Sequence, residues 1–289
     1  MRLRPKMTLP QATKSPKKMR LIDIRRAVIS ALGNDDAKSE CDIIISHVYN
    51  VEKTEIPLRL FDEFEKSDKL DKIISRRTSG EPLEYIIGRT VFCGLDFVVS
   101  PDCLIPQADT EVVAREAAAH LDGRGKFLDL CTGSGCIGVV LAKRGARGVA
   151  VDIADAALDI ARKNAVMNGV SDMIDFVLAD IFAPLDVGNG FDVIVSNPPY
   201  VRRDEIDSLP REVRHEPRIA LDGGDDGLMF YRRIALLAGE LLAPRGALVL
   251  EIGYDEAADV CGILSSRGFS PRVTKDYGGN DRCVTATKD

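Results

Sequence analysis

The sequence predicts an α/β fold in which a parallel sheet carries helices on both faces and follows a small helical bundle and a β-hairpin. Between residues 126 and 252, short apolar runs alternate with helical patterns, which is the order typical of a parallel, Rossmann-like sheet. Residues 21–80 show a helical period instead. Residues 90–100 change to a strand-like period that turns near Gly94.

Residues 1–18 place three prolines among polar side chains and predict a disordered basic arm. A helical domain is expected over residues 19–88, because apolar residues recur there at helical spacing. Four helices are predicted. The first ends at Gly33, and the second is capped by Asp35 or Asp36. The third is short, begins at Pro57 and carries Phe61 and Phe64, and the fourth is capped by Ser67.

A hairpin linker over residues 89–108 leads to the main domain, predicted over residues 109–289. The predicted helices of this domain are 109–121, 136–144, 154–168 and 228–242. The predicted strands are 126–131, 148–152, 174–178, 191–196 and 247–252, and a closing hairpin is formed by 270–275 and 282–287.

The composition excludes several classes of protein. Of the 289 residues, 45% are hydrophobic and 29% charged, and no run approaches the roughly 20 apolar residues needed to cross a bilayer. The N-terminus has no apolar segment of the secretory kind. Seven cysteines without a C-x-x-C pair, beside three histidines, predict reduced thiols and no metal site. We expect a cytoplasmic monomer without membrane contact.

The net charge of −6 is unevenly distributed. Residues 1–26 contain nine Arg or Lys and one Asp, whereas the rest of the chain holds 30 basic and 44 acidic residues. A basic arm can contact RNA, although a solvated tail has the same composition. The acidic body argues against an enzyme dedicated to duplex DNA, because phosphate neutralisation dominates that binding.

A glycine-rich turn between a strand and a helix occupies residues 127–138, FLDLCTGSGCIG. Glycines allow a ligand to approach the backbone closely, and the helix start offers unpaired N–H groups. The next strand ends in Asp152, which can accept hydrogen bonds from both hydroxyls of a ribose. The segment therefore predicts a site for a nucleoside-containing cofactor.

The glycine spacing alone also fits a nicotinamide dinucleotide. Two features favour S-adenosylmethionine. Asp129 lies inside the strand before the turn, a position similar to that of the acidic residue that meets the methionine amine in methyltransferases. A third strand is followed by Asp180 and Ile181, where an adenine ring can be held.

The apolar strand 191–196 runs directly into Asn197, Pro198, Pro199 and Tyr200. Ligands of open parallel sheets bind beyond the carboxyl ends of the strands, so this tetrapeptide is expected to face the cofactor. The Asn197 side-chain oxygen and the Pro198 carbonyl can accept both hydrogens of one NH2 group, and the prolines hold those acceptors in place. Tyr200 offers a flat face for a planar amide or base.

An Asn-Pro-Pro-Tyr tetrapeptide after a strand marks methyltransferases that act on amino groups of DNA bases or on glutamine amides. From about residue 20 to 287 the chain resembles the release factor glutamine N5-methyltransferases. The matching segments are 80–88 (GEPLEYIIG), 92–97 (FCGLDF), 104–106 (LIP), 109–111 (DTE), 215–218 (HEPR), 226–228 (DGL) and 276–278 (DYG) with Arg282.

This resemblance implies a helical substrate-recognition domain, a hairpin linker and a seven-stranded class I methyltransferase domain. It implies a class 1 peptide chain release factor as substrate, methylated in its Gly-Gly-Gln motif, with S-adenosylhomocysteine as product. The implied cofactor residues are Cys131, Thr132, Gly133, Ser134, Gly135, Asp152, Ile181 and Asn197, and the implied substrate residues are Asn197, Pro198, Pro199 and Tyr200.

The chain departs from the family pattern at three places. Cys131 stands where the family usually has Gly, and Ile181 stands where some members have Trp. Gln107-Ala108 replaces the usual Arg-Pro. Four other functions stay open at this point. Two are methylations, of a ribosomal-protein glutamine or of DNA adenine at N6. The other two are a nicotinamide-dependent oxidoreductase and a non-catalytic binding protein.

Overall fold

A computed structural model describes residues 18–121 and 123–288. The chain divides into two units, one ending at Leu83 and the other starting at Glu84. Apart from Lys18, the arm predicted over residues 1–18 lies outside the described residues. The division comes five residues before the boundary expected at residue 88. Its physical basis is Tyr85, which is buried in the second unit and donates a hydrogen bond to the Cys103 carbonyl at 2.6 Å.

The first unit is built mainly from three helices: α1 (Leu21–Leu32), α2 (Ala37–Tyr49) and α3 (Asp68–Thr78). As predicted, α1 ends at Gly33, which adopts the left-handed conformation with φ 63°. Asp36 and Ser67 precede α2 and α3, but neither side chain forms a capping hydrogen bond. The apolar faces of α1 and α2 form the core through Leu21, Val28, Ile44 and Ile45.

The third helix predicted for this unit is wrong in part. Only Ile56–Arg59 forms a helix, a single 3-10 turn, and Phe64 lies in a strand, β2 (Glu63–Glu65). This strand pairs antiparallel with β1 (Lys18–Arg20). The pairing partner is distant in sequence, and the Phe64 ring packs on Tyr49 with the ring centroids 5.0 Å apart. These long-range contacts override the local helical pattern.

The second unit begins with a short helix, α4 (Leu83–Ile87), which crosses the division, and with the predicted hairpin. The hairpin strands are β3 (Arg89–Phe92) and β4 (Leu95–Val98). Cys93 and Gly94 join them, and both have positive φ, as a two-residue turn between twisted strands requires.

The remaining elements alternate as predicted. The helices are α5 (Thr110–Ala119), α6 (Cys136–Lys143), α7 (Asp155–Met167), α8 (Met229–Leu241) and α9 (Ala257–Ser265). The strands are β5 (Lys126–Leu130), β6 (Arg147–Asp152), β7 (Ile174–Leu178), β8 (Phe191–Ser196), β9 (Leu242–Glu251), β10 (Phe269–Lys275) and β11 (Asp281–Lys288). Helix α9 has no counterpart among the predicted elements.

The seven strands form one sheet in the order β10-β11-β9-β8-β5-β6-β7. The strands β5, β6, β7, β8 and β9 are parallel, and β11 is antiparallel to both of its neighbours. This confirms the predicted class I architecture and its closing hairpin. Helices α5 and α6 pack on one face, whereas α8 and α9 pack on the other.

The direction of chain progression reverses at β5, since β6 follows on one side and β8 lies on the other. Loops leaving the carboxyl ends of β5 and β8 diverge at such a switch point and leave a crevice between them. In the described part of the chain, no helix combines the length and apolar character needed to cross a bilayer.

Candidate active site

A cavity of about 280 Å³ lies beyond the carboxyl ends of β5, β6 and β8, within the second unit. Nine of the residues predicted from the sequence line it: Cys131, Thr132, Gly133, Ser134, Asp152, Asp180, Ile181, Asn197 and Pro199. Four other predicted residues lie outside the lining: Asp129, Gly135, Pro198 and Tyr200. The crevice at the switch point and the sequence motifs therefore coincide.

Three residues of the glycine-rich turn have backbone angles in the left-handed region. Cys131, Gly133 and Gly135 have φ of 57°, 54° and 77°. A side chain at position 135 would meet Ala161 of α7, since a Cβ atom at that position would lie 2.9 Å from the Ala161 Cβ. Gly135 thus lets α7 pack directly behind the turn. Cys131 carries a side chain in a conformation that favours glycine, which accounts for the glycine usual at this position in the resembled family.

Asp129 braces this turn from inside the fold. One of its carboxylate oxygens, Oδ2, accepts hydrogen bonds from Thr132 Oγ1 at 2.6 Å and from the Gly138 N–H at 3.0 Å. The other oxygen is buried and has no hydrogen-bond partner within the described chain. Burial raises the pKa of Asp129 to about 7. The contact of Asp129 with a methionine amine stays a prediction, because the side chain faces the turn.

Asp152 ends β6 and lines the cavity wall. Its oxygens accept hydrogen bonds from the Gly133 N–H at 2.8 Å and from the Ala154 N–H at 2.9 Å. Burial raises its pKa, which these backbone donors counteract. Each carboxylate oxygen has a second lone pair, so Asp152 can still accept hydrogen bonds from a diol.

Asp180 and Ile181 follow β7 at the same edge of the sheet. Asp180 Oδ1 accepts a hydrogen bond from the Phe182 N–H at 2.9 Å, which shapes the loop. Arg233 of α8 donates to the Ile181 carbonyl and holds the loop from the other side. The rings of Phe182 and Phe230 pack edge-to-face with centroids 5.2 Å apart, and both line the cavity. This end of the cavity is lined by apolar side chains.

Asn197 follows β8, with its side chain at the cavity. Its Nδ2 donates to Thr110 Oγ1 at 3.2 Å. Pro198 and Pro199 are buried, and the Tyr200 hydroxyl lies 3.5 Å from Glu251 Oε1. Tyr200 therefore points toward the end of β9, and its stacking on a substrate stays a prediction.

Four residues at or near the cavity were not predicted from the sequence. Thr110 and Glu251 are each 2% exposed and joined by a hydrogen bond of 2.6 Å. Glu216 accepts a hydrogen bond from the Ile105 N–H at 2.9 Å and thereby holds one wall of the cavity. Asn164 of α7 donates to the Ser134 carbonyl and binds both backbone groups of Val98.

A usable signal existed for three of these residues. Glu251 is the last residue of a strand in the parallel sheet, where ligands are expected, and Thr110 and Glu216 lie in two of the segments that carry the family resemblance. Asn164 sits in the middle of a helix, where the sequence gives no comparable sign.

The lining fits an adenosine-containing cofactor. A carboxylate stands at the second strand end, the glycine-rich turn lies beside it, and apolar side chains follow the third strand. Beside these groups, Asn197 presents an amide at the cavity wall. Such an arrangement can place an NH2 group next to a cofactor without a charged catalytic base.

The chain is similar in sequence to two described protein families. Residues 109–221 match the family described as the methyltransferase small domain, and residues 24–88 match the PrmC N-terminal domain. A release factor glutamine methyltransferase of Geobacter sulfurreducens is 39% identical and covers 92% of this chain and 94% of its own. A second one, from Agrobacterium fabrum, is 42% identical and covers 76% of this chain and 79% of its own.

Among solved structures, a methyltransferase from Pyrococcus furiosus covers 74% of this chain and 96% of its own, with a TM-score of 0.52 and 18% identity. This likeness concerns the fold alone. The identity to the release factor enzymes extends over both units, and the family resemblance seen in the sequence is confirmed. The chain belongs to the release factor glutamine methyltransferase family.

Proposed function

We propose that this protein transfers a methyl group from S-adenosylmethionine to the side-chain amide nitrogen of the glutamine in the Gly-Gly-Gln motif of a class 1 release factor. The observation that carries the proposal is the position of Asn197 on the wall of the cavity that Asp152 also lines. Relatives named for this activity match nearly the whole chain and support the choice of substrate.

Residues at the ends of three strands would bind the cofactor. Asp152 would accept hydrogen bonds from the ribose hydroxyls, and Ile181 with Phe182 would enclose the adenine. The turn from Cys131 to Gly135 would hold the methionine end through its backbone. When bound, S-adenosylmethionine supplies a methyl group that its sulfonium has already activated.

Catalysis by the residues of this chain is then mostly alignment. An amide nitrogen is a poor nucleophile, because its lone pair is delocalised into the carbonyl. The oxygen of Asn197 and the carbonyl of Pro198 accept the two hydrogens of the substrate NH2 group, aim its nitrogen and stabilise the positive charge that develops there. The excess proton can leave to water afterwards, so a base is not required.

The first unit serves, in this proposal, to recognise the body of the release factor. Release factors act on the ribosome, so the enzyme would work in the cytoplasm. Contact of residues 1–26 with RNA remains a separate prediction based on their positive charge.

The test is a set of parallel reactions with radiolabelled S-adenosylmethionine. A class 1 release factor, a ribosomal protein preparation and unmethylated DNA serve as acceptors, and a release factor with Gln→Ala in the Gly-Gly-Gln motif is the matched control. Label in the release factor alone, absent from its Gln→Ala variant, is the expected result. Label in ribosomal protein or DNA instead would contradict the proposal. If the protein binds a nicotinamide dinucleotide and not S-adenosylmethionine, it is not a methyltransferase.

A further inference from the structure

A buried chain of hydrogen bonds leads from the cavity wall into the fold. Asn197 Nδ2 donates to Thr110 Oγ1 at 3.2 Å, and Thr110 Oγ1 donates to Glu251 Oε2 at 2.6 Å. The three residues come from separate elements: the end of β8, the start of α5 and the end of β9. Thr110 and Glu251 are almost completely buried, so water does not compete for these bonds.

The direction of these bonds follows from simple proton counting. A hydroxyl carries one proton, and an ionised carboxylate can only accept. The Thr110 proton is therefore committed to Glu251, and only a lone pair of Thr110 remains for Asn197. The amide must turn its NH2 group toward Thr110, because the reverse orientation would set two acceptors against each other.

This orientation matters for a substrate with an NH2 group. With its NH2 group held by Thr110, the Asn197 amide has its oxygen free for the cavity that it lines. We propose that Thr110 and Glu251 are positioning residues that fix the Asn197 amide with its oxygen as the acceptor for the substrate nitrogen. The inference rests on the function proposed above and adds two residues that act through Asn197.

Two groups beside Glu251 favour its ionised form against the effect of burial. The titratable and charged groups that face it are Asp109, Cys136, Tyr200, Tyr231, Arg282 and Cys283. Arg282 contributes the positive charge among them, and the Thr110 hydroxyl stabilises the carboxylate directly. Burial raises the pKa of Glu251 to about 7, so assays at pH 8.5 observe the carboxylate.

The test compares three variants of the full chain at pH 8.5. Thr110→Val removes the hydroxyl and keeps the side-chain shape, Thr110→Ser restores a hydroxyl, and Thr285→Val deletes the hydroxyl of a buried threonine in β11 as the matched control. We expect Thr110→Val to lower kcat by about 10-fold to 10²-fold, with the KM for release factor and the Kd for S-adenosylmethionine within about twofold. Thr110→Ser should recover kcat, and Thr285→Val should keep it.

A second measurement needs neither a variant that folds nor a substrate that reacts. In the nuclear Overhauser spectrum of the wild-type protein, the Asn197 side-chain NH2 protons should give a cross-peak with the Thr110 methyl group. These NH2 protons should also exchange slowly with water. Fast exchange without that contact would overturn the proposal. So would wild-type kcat in Thr110→Val, or equal losses of kcat and cofactor affinity. If the wild-type protein methylates no release factor, the proposed function fails, and this spectrum still decides the orientation of Asn197.

Discussion

Asp152 at the end of β6 accepts a hydrogen bond from the Gly133 backbone N–H at 2.8 Å. The acidic strand end and the glycine-rich turn, 19 residues apart in sequence, are thus fixed to each other by the protein itself. The carboxylate that we expect to bind the ribose is already oriented, which lowers the entropic cost of cofactor binding.

Asp152→Ala should weaken the binding of S-adenosylhomocysteine by about 1.5–3 kcal/mol, because a charge-assisted hydrogen-bond acceptor is lost. Titration calorimetry measures the affinity. Asp155→Ala, which removes an exposed carboxylate at the start of α7, is the control and should change little. If the wild type and both variants bind S-adenosylhomocysteine with equal affinity, Asp152 does not contact the cofactor.

Asn197→Ala should reduce kcat by about 10²–10³ while cofactor affinity stays within about twofold. One of the two acceptors for the reacting NH2 group is lost, and a loss of this size is known for single donors in oxyanion holes. Single-turnover methylation of release factor, together with calorimetry, separates the two quantities. Turnover close to wild type would contradict the mechanism.

Removal of the first unit should impair recognition rather than chemistry. A shortened chain that begins at Glu84, where the second unit starts, should bind S-adenosylhomocysteine normally. Its kcat/KM for a full-length release factor should fall by about tenfold or more, the equivalent of about 1.4 kcal/mol in transition-state binding. If the shortened and intact proteins methylate the full-length factor equally well, the recognition role is lost.

Glu216 should make stability depend on pH. Burial raises its pKa from 4.5 to about 7, and Glu84 contributes by repulsion. The folded protein therefore binds a proton between about pH 5 and 7 that the unfolded chain has released, and this contribution to stability is lost as the pH rises through 7. Relative to Glu216→Gln, the wild-type free energy of unfolding should fall by about 1–3 kcal/mol between pH 5 and 8. Urea titrations at both pH values measure this difference; parallel curves would show that Glu216 ionises normally.

Gln107 and Ala108 should adjust how substrate is held. Both are exposed, and Gln107 donates a hydrogen bond to the carbonyl of Ile105, a residue of the cavity wall. Restoring the family's Arg-Pro with Gln107→Arg and Ala108→Pro adds a charge and stiffens the loop by a few tenths to about 1 kcal/mol. We expect a lower KM for release factor with little change in kcat. An inactive double variant beside an active parent would contradict this interpretation.

The sequence by itself determined the alternation of strands and helices between residues 126 and 252, the closing hairpin and the position of the cofactor turn. The reason is that each rests on local chemistry: a period of 2 or 3.6 residues, glycine where φ is positive, and proline after a strand. The segment from Asn197 to Tyr200 could be placed at a ligand site because strand ends in a parallel sheet share one edge. Nine predicted residues do line a single cavity.

Only the tertiary structure decided how side chains in that region are directed. Asp129 turns inward to the glycine loop, Tyr200 points toward Glu251, and Phe64 joins a strand because Met19 pairs with it. Thr110 meets Asn197 and Glu251 across separations of 87 and 141 residues. Sheet order sets such contacts, and a hydrogen bond between distant segments leaves no periodic trace in the sequence, so its partners become known only when the strands are assembled.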